Sequence, residues 1–164
     1  MTKNIQKALG KYVVLKNHPY VIENVSLLRF GMSEQDLVSI NKSGFFYEYE
    51  VKVSRQDFLK DKKKKKWEFY DLKMNERLPN YLTYVCPENL IKEDEIPPFA
   101  GLLYYIEESD KIKEIKRPSA VHREKHDLDR IIKKSLLVYS QRTFLGHCLM
   151  TYLNKEIKKN QNGK

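Results

Sequence analysis

Asp36, Glu50 and Lys52 are the residues whose types and spacing could do chemistry. Along Tyr47-Glu48-Tyr49-Glu50-Val51-Lys52-Val53, strand alternation puts the apolar side chains on one face and Glu48, Glu50 and Lys52 on the other. Asn41-Lys42-Ser43-Gly44 has the composition of a hairpin turn, which makes residues 36–40 an antiparallel neighbour of that strand. Pairing about the turn sets Asp36 across from Glu50 or a residue close to it. Two carboxylates and an ammonium in one patch suit phosphodiester hydrolysis. Asp36 and Glu50, helped by the Val51 carbonyl, would offer hard oxygen ligands to Mg²⁺, with Mn²⁺ as a substitute. Such a metal lowers the pKa of a bound water and neutralises charge on the phosphate. Lys52 would orient or deprotonate that water and steady the pentavalent state. The same spacing also fits a solvated Glu50–Lys52 pair worth about 0–1 kcal/mol. From the residues alone, both readings stand.

The elements that must position these groups follow from periodicity. Ile5, Ala8, Leu9 and Tyr12 recur at helical spacing, predicting a first helix over residues 2–16, weakened at Gly10 and ended by His18-Pro19. Three strands are expected, over 20–30, 36–40 and 45–53. Ser54 as N-cap with Asp57 at N3 opens a long helix to about Asn75, whose apolar stripe is Leu59, Trp67, Tyr70 and Met74. Residues 81–86 and 101–106 read as strands separated by a helical turn at 87–91, and residues 112–115 as an edge strand. A charged linker over 117–126 leads into helical patterning through Leu128, Ile131, Ile132, Tyr139 and Leu149, and residues 155–164 form a polar tail. This order predicts an α/β fold: a core over residues 1–118 with a mixed central sheet flanked by helices, and a helical C-terminal extension over 119–164.

On those elements the chain resembles the PD-(D/E)xK nuclease superfamily, and more narrowly its MmcB-like branch linked to DNA repair. The resemblance rests on Asp36, then Glu50-Val51-Lys52-Val53-Ser54-Arg55-Gln56-Asp57-Phe58, Asp61, Lys66-Trp67 and Tyr70. Tyr84-Val85-Cys86-Pro87 and Pro98-Phe99-Ala100-Gly101-Leu102 continue it, so that it covers about residues 5–120. It implies a restriction-endonuclease-like core and Mg²⁺-dependent cleavage of DNA, with Asp36 and Glu50 as ligands and Lys52 as the catalytic lysine. Two features depart from the pattern. Gln35 rather than proline precedes Asp36, and residues 2–16 hold none of the acidic residues that many members carry on the first helix. Either Glu23, Glu34 or Glu48 replaces it, or one metal site is absent.

Composition points the same way. Lys and Arg total 31 against 22 Asp and Glu, for a formal charge of +9 in 164 residues, which favours a polyanionic partner, nucleic acid first and an anionic membrane surface second; with the resemblance, DNA is the expected partner. Lys62 to Lys66 are five consecutive lysines. A helix turns such a run around its whole circumference, so only some can face one partner. Lys62, Lys63 and Lys66, with Arg55 and Gln56 in the first helical turn, are the candidate phosphate contacts. A solvated, lysine-rich surface explains the run equally well. Trp67 and Tyr70 could stack on bases, although core packing suits them better. Cys86 and Cys148 form no CxxC pair, and no stretch approaches the roughly 20 apolar residues that span a bilayer. A cytoplasmic protein without a membrane role is expected, with a homodimer or protein partner engaging the C-terminal helices. His122, His126 and His147-Cys148 match no familiar zinc spacing. Two functions remain: a metal-dependent nuclease, and a binding module that keeps the nuclease fold without hydrolysis.

Overall fold

Strand alternation gives the sheet two faces, and different helices cover them. The computed structural model describes residues 1–25, 34–61, 63–127, 129, 130 and 133. The elements are α1 (Thr2–Leu15), β1 (Tyr20–Val25), β2 (Gln35–Ile40), β3 (Phe46–Val51), α2 (Arg55–Asp61), α3 (Lys66–Asp71), β4 (Tyr81–Pro87), β5 (Gly101–Ile106) and β6 (Lys111–Lys116). The six strands form one sheet in chain order. β1–β2, β2–β3 and β5–β6 are antiparallel; β3–β4 and β4–β5 are parallel. The fold is thus a mixed α/β sheet flanked by helices.

On one face, Leu37, Tyr49, Val51, Val85 and Leu103 pack against Ile5, Ala8, Leu9 and Val13 of α1. Burial of that stripe carries α1 through Gly10 without a break, since the packed face outweighs the roughly 1 kcal/mol a helical glycine costs. The helix stops at Lys16 because Asn17 adopts a left-handed φ of 62°. On the other face, Leu82, Tyr84, Cys86, Leu102 and Tyr104 meet Phe58 of α2 together with Ile91, Ile96 and Ala100.

The turn between β2 and β3 forms as its composition predicts. Asn41 Oδ1 accepts the Ser43 and Phe45 N–H groups, and Gly44 takes a φ of 82°. Ser54 caps α2 by accepting the Asp57 N–H at 3.1 Å.

The long helix expected to Asn75 is instead broken. α2 stops at Asp61 and α3 starts at Lys66, with i to i+3 bonds from Lys64 N–H to Asp61 O and from Trp67 N–H to Lys64 O between them. Trp67 Nε1 donates to the Asp61 carbonyl at 2.8 Å, satisfying a backbone group at the end of α2. The expected apolar stripe holds in part: Trp67 and Tyr70 pack against the core, but Phe58 takes the place of Leu59. Phe58 is buried, whereas Leu59 is 49% exposed.

Residues 117–126 also depart from the free linker expected of them. Ser119 N–H donates to Phe99 O, Val121 N–H donates to Asn80 O, and the buried Asn80 side chain donates to the His122 and Glu124 carbonyls. The chain divides into two units, Met1–His126 and Asp127–Lys164. The expected C-terminal helices, Cys148, and the part of the first strand beyond Val25 lie outside the described residues.

Candidate active site

The hairpin register decides where Asp36 falls. Leu37 pairs with Tyr49 and Val38 with Glu48, so one further step sets Asp36 against Glu50, as the turn predicts. Asp36 Oδ2 accepts the Val51 backbone N–H at 2.8 Å. Next to β3, Glu50 pairs with Tyr84 and Val51 with Val85 of β4, and Lys52 N–H continues the ladder to Val85 O. Asp36, Glu50 and Lys52 therefore gather at the C-terminal end of the parallel strands.

The polar face of β3 is not solvated. Glu48, Glu50 and Lys52 are 0, 1 and 2% exposed. Burial on that scale requires partners, and α2 and α3 deliver them. Lys52 Nζ lies 2.7 Å from Glu50 Oε2 and 3.2 Å from Asp61 Oδ1. Lys66 Nζ lies 2.9 Å from Asp61 Oδ2 and 2.9 Å from Glu50 Oε1. The four side chains thus close a ring of alternating charge. Tyr84 donates its hydroxyl to Asp61 Oδ2 at 2.9 Å, and the half-exposed Lys64 reaches Asp61 Oδ1 from outside.

This arrangement fixes protonation states. Burial alone would raise the Glu50 pKa, but the Lys66 and Lys52 ammoniums overcompensate and hold it well below the ordinary carboxylate range. Burial would lower that of Lys52, but Glu50 and Asp61 raise it, so Lys52 is an ammonium. Burial opposes ionisation of Asp61 too, and Lys66 reverses it. Asp36 lies outside the ring and behaves differently. Burial first, then the charge of Glu50, pushes it up to about 6.

No family model and no curated protein matches the chain. Among solved structures, a protein of unknown function from Silicibacter pomeroyi is similar at 17% identity, with a TM-score of 0.62 over 86% of this chain and 87% of that one. At that identity the likeness concerns the fold alone.

The remaining expected site residues divide. Lys66, placed by sequence among surface phosphate contacts, is buried in the ring; a phosphate cannot reach an ammonium enclosed between two carboxylates. Arg55 is at the surface but engaged by both carboxylate oxygens of Glu95, at 2.5 and 2.7 Å. Gln56 and Lys63 are exposed, and Lys62 lies outside the described residues. Glu23 and Glu34 are exposed, while Glu48 accepts a hydrogen bond from Gln35 Nε2 at 2.9 Å. On α1, the polar residue facing this end of β2 is Gln6, which donates to the Asp36 carbonyl at 3.2 Å. Trp67 and Tyr70 pack in the core, with Tyr70 stacked on Phe99.

Asp61 and Tyr84 enter the sequence reading only through the family resemblance, which gives them no role at the site. Nothing local distinguishes Asp61 from a surface aspartate, because its inward turn depends on the helix break after it.

Among the described residues no cluster of three or more acidic, His or Cys side chains converges. A divalent cation here would rest on a pair, Asp36 and Glu50, whose mutual repulsion it would relieve. A pair suits Mg²⁺, which is held by one or two carboxylates and keeps several waters. Among the described residues no helix is long and apolar enough to cross a membrane.

Proposed function

We propose that the chain is a Mg²⁺-dependent nuclease of the PD-(D/E)xK type, with a restriction-endonuclease-like core, that hydrolyses DNA phosphodiester bonds in repair, recombination or defence. One observation carries this reading: the β2–β3 register sets Asp36 against Glu50, with Lys52 next on the same face. Asp36 and Glu50 would hold the cation, with the Val51 carbonyl as a third oxygen. Bound there, Mg²⁺ would supply an acidified water and charge neutralisation at the phosphate.

The chain's own groups do the rest. Lys52, held as an ammonium by Glu50 and Asp61, steadies negative charge on the phosphate oxygens. Its charge state makes it an electrostatic group rather than the base. Val51 N–H keeps the Asp36 carboxylate turned toward β3. Exposed Lys63, Lys64 and Lys65, beside the site in sequence, supply sequence-independent attraction for the DNA backbone.

Purified protein incubated with single- and double-stranded DNA and Mg²⁺ or Mn²⁺ tests the reading. Cleavage that Asp36→Ala and Lys52→Ala both abolish is expected; equal cleavage by either variant would reject the assignment.

A second reading has its own support. Both Glu50 oxygens are held by lysines, and Gln6 stands on α1 where many members of the superfamily carry an acid. A module that binds DNA without hydrolysis would show salt-sensitive binding with no metal uptake.

A further inference from the structure

Lys66 and Asp61 come to the site from the helices, whereas Asp36, Glu50 and Lys52 come from the strands. Lys63, Lys64 and Lys65 are all exposed, whereas Lys66 of the same run is buried. Burying one lysine of that run costs several kcal/mol unless it is fully paired. The chain also gives up helix continuity to do it. On an unbroken helix, five residues turn through about 500°, which would leave Lys66 roughly 140° around the axis from Asp61. The break between α2 and α3 removes that separation and lets both side chains meet the same β3 groups.

We infer that Asp61 and Lys66 are positioning residues of this site: Lys66 fixes the Glu50 carboxylate through Oε1, and Asp61 fixes the Lys52 ammonium. The inference rests on the nuclease reading of that site. Lys52 alone contacts Glu50 through one oxygen, Oε2, which leaves the carboxylate free to rotate about its last bond. The Lys66 contact to Oε1 adds the second point that sets its plane. Lys52 ends a flexible four-carbon stem, and its contact with Asp61 places Nζ between two carboxylates. Asp61 is itself held at the side chain by the Tyr84 hydroxyl and Lys66, and at its carbonyl by the Trp67 indole. The helix pair therefore sets the orientation of groups the strands carry, as outer partners of metal ligands do.

The test measures kcat and KM for Mn²⁺-dependent DNA cleavage by wild type, Asp61→Asn/Lys66→Met, and Lys66→Arg. The double variant removes one charge of each sign and leaves Glu50–Lys52 balanced. Its expected signature is a kcat lower by about 10–100-fold with KM for DNA unchanged. Lys66→Arg, which keeps the charge, should lie between it and wild type. It carries the same comparison should the double variant lose its native circular dichroism. Wild-type kcat in whichever variant is folded, or a loss confined to KM, overturns the inference while leaving the nuclease reading intact. Wild type that cleaves nothing with either metal overturns that reading, and this inference with it.

Discussion

The Asp36 carboxylate accepts the Val51 backbone N–H at 2.8 Å, which ties this β2 residue to the β3 backbone. The bond holds Asp36 beside Glu50 despite burial and the Glu50 charge, which together raise its pKa to about 6. The two carboxylates differ in what compensates them. Glu50 belongs to the charge ring, and Asp36 does not.

That difference predicts a pH-dependent cost at Asp36. Its folded pKa is above the ordinary value of 3.8, so the folded state binds this proton more tightly than the unfolded chain. The resulting stability is fully present below about pH 4 and is lost as pH rises through about 6. Two units correspond to at most about 3 kcal/mol. In metal-free protein, Asp36→Asn should therefore gain on wild type by up to about 3 kcal/mol between pH 4.5 and 7.5, measured by urea unfolding. An advantage that stays constant across that range would mean that Asp36 is not strained.

The ring predicts strong coupling. Lys66→Met leaves Glu50 and Asp61 buried with too little positive charge, and Asp61→Asn leaves the lysines with too little negative charge. Breaking a buried pair from one side costs about 3–5 kcal/mol, whereas removing both members costs much less. A double-mutant cycle by denaturant unfolding should show the double variant more stable than the sum of the singles predicts by about 1–3 kcal/mol. Simple additivity would refute the closed ring.

Charge balance also sets metal stoichiometry. The ring is neutral in itself, so Asp36 brings the one uncompensated charge to a cation that it would share with Glu50. Calorimetry on protein stripped with chelator should find one Mn²⁺ per chain, and none in Asp36→Ala. Two equivalent sites would contradict the assignment.

Much of this was legible in the sequence. The turn at residues 41–44 and the alternation through residues 47–53 are enough to place Asp36 across from Glu50 or a residue close to it, because hairpin register is local. The edge strand and the first helix were legible for the same reason. The break after Asp61 was not, since five consecutive lysines look alike until tertiary burial selects one of them. Sequence therefore assigns Lys66 to the surface, and it marks Asp61 and Tyr84 only as part of the family resemblance, with no role of their own.

Asn80 is buried and joins β3 to the segment after β6. Its Oδ1 accepts the Phe46 N–H at 2.7 Å, and its Nδ2 donates to Glu124 O at 2.8 Å and His122 O at 3.2 Å. Asn80→Ala strands these backbone groups, at about 1–3 kcal/mol for each one left unsatisfied. The expected result is a loss of at least about 2 kcal/mol in urea unfolding, with Asn80→Asp also destabilised because a carboxylate cannot donate. Wild-type stability in Asn80→Ala would show that residues 119–126 are not anchored as described.

The nuclease reading requires that Asp36, Glu50 and Lys52 together hydrolyse DNA with a divalent metal. Its most direct test is a time course of end-labelled DNA cleavage with Mn²⁺, with and without chelator, for wild type and a Lys52→Met variant of matched circular dichroism. The account predicts cleavage by wild type that chelator stops and a loss of at least about 100-fold in Lys52→Met. Chelator-insensitive cleavage, or equal rates in the two proteins, would contradict it.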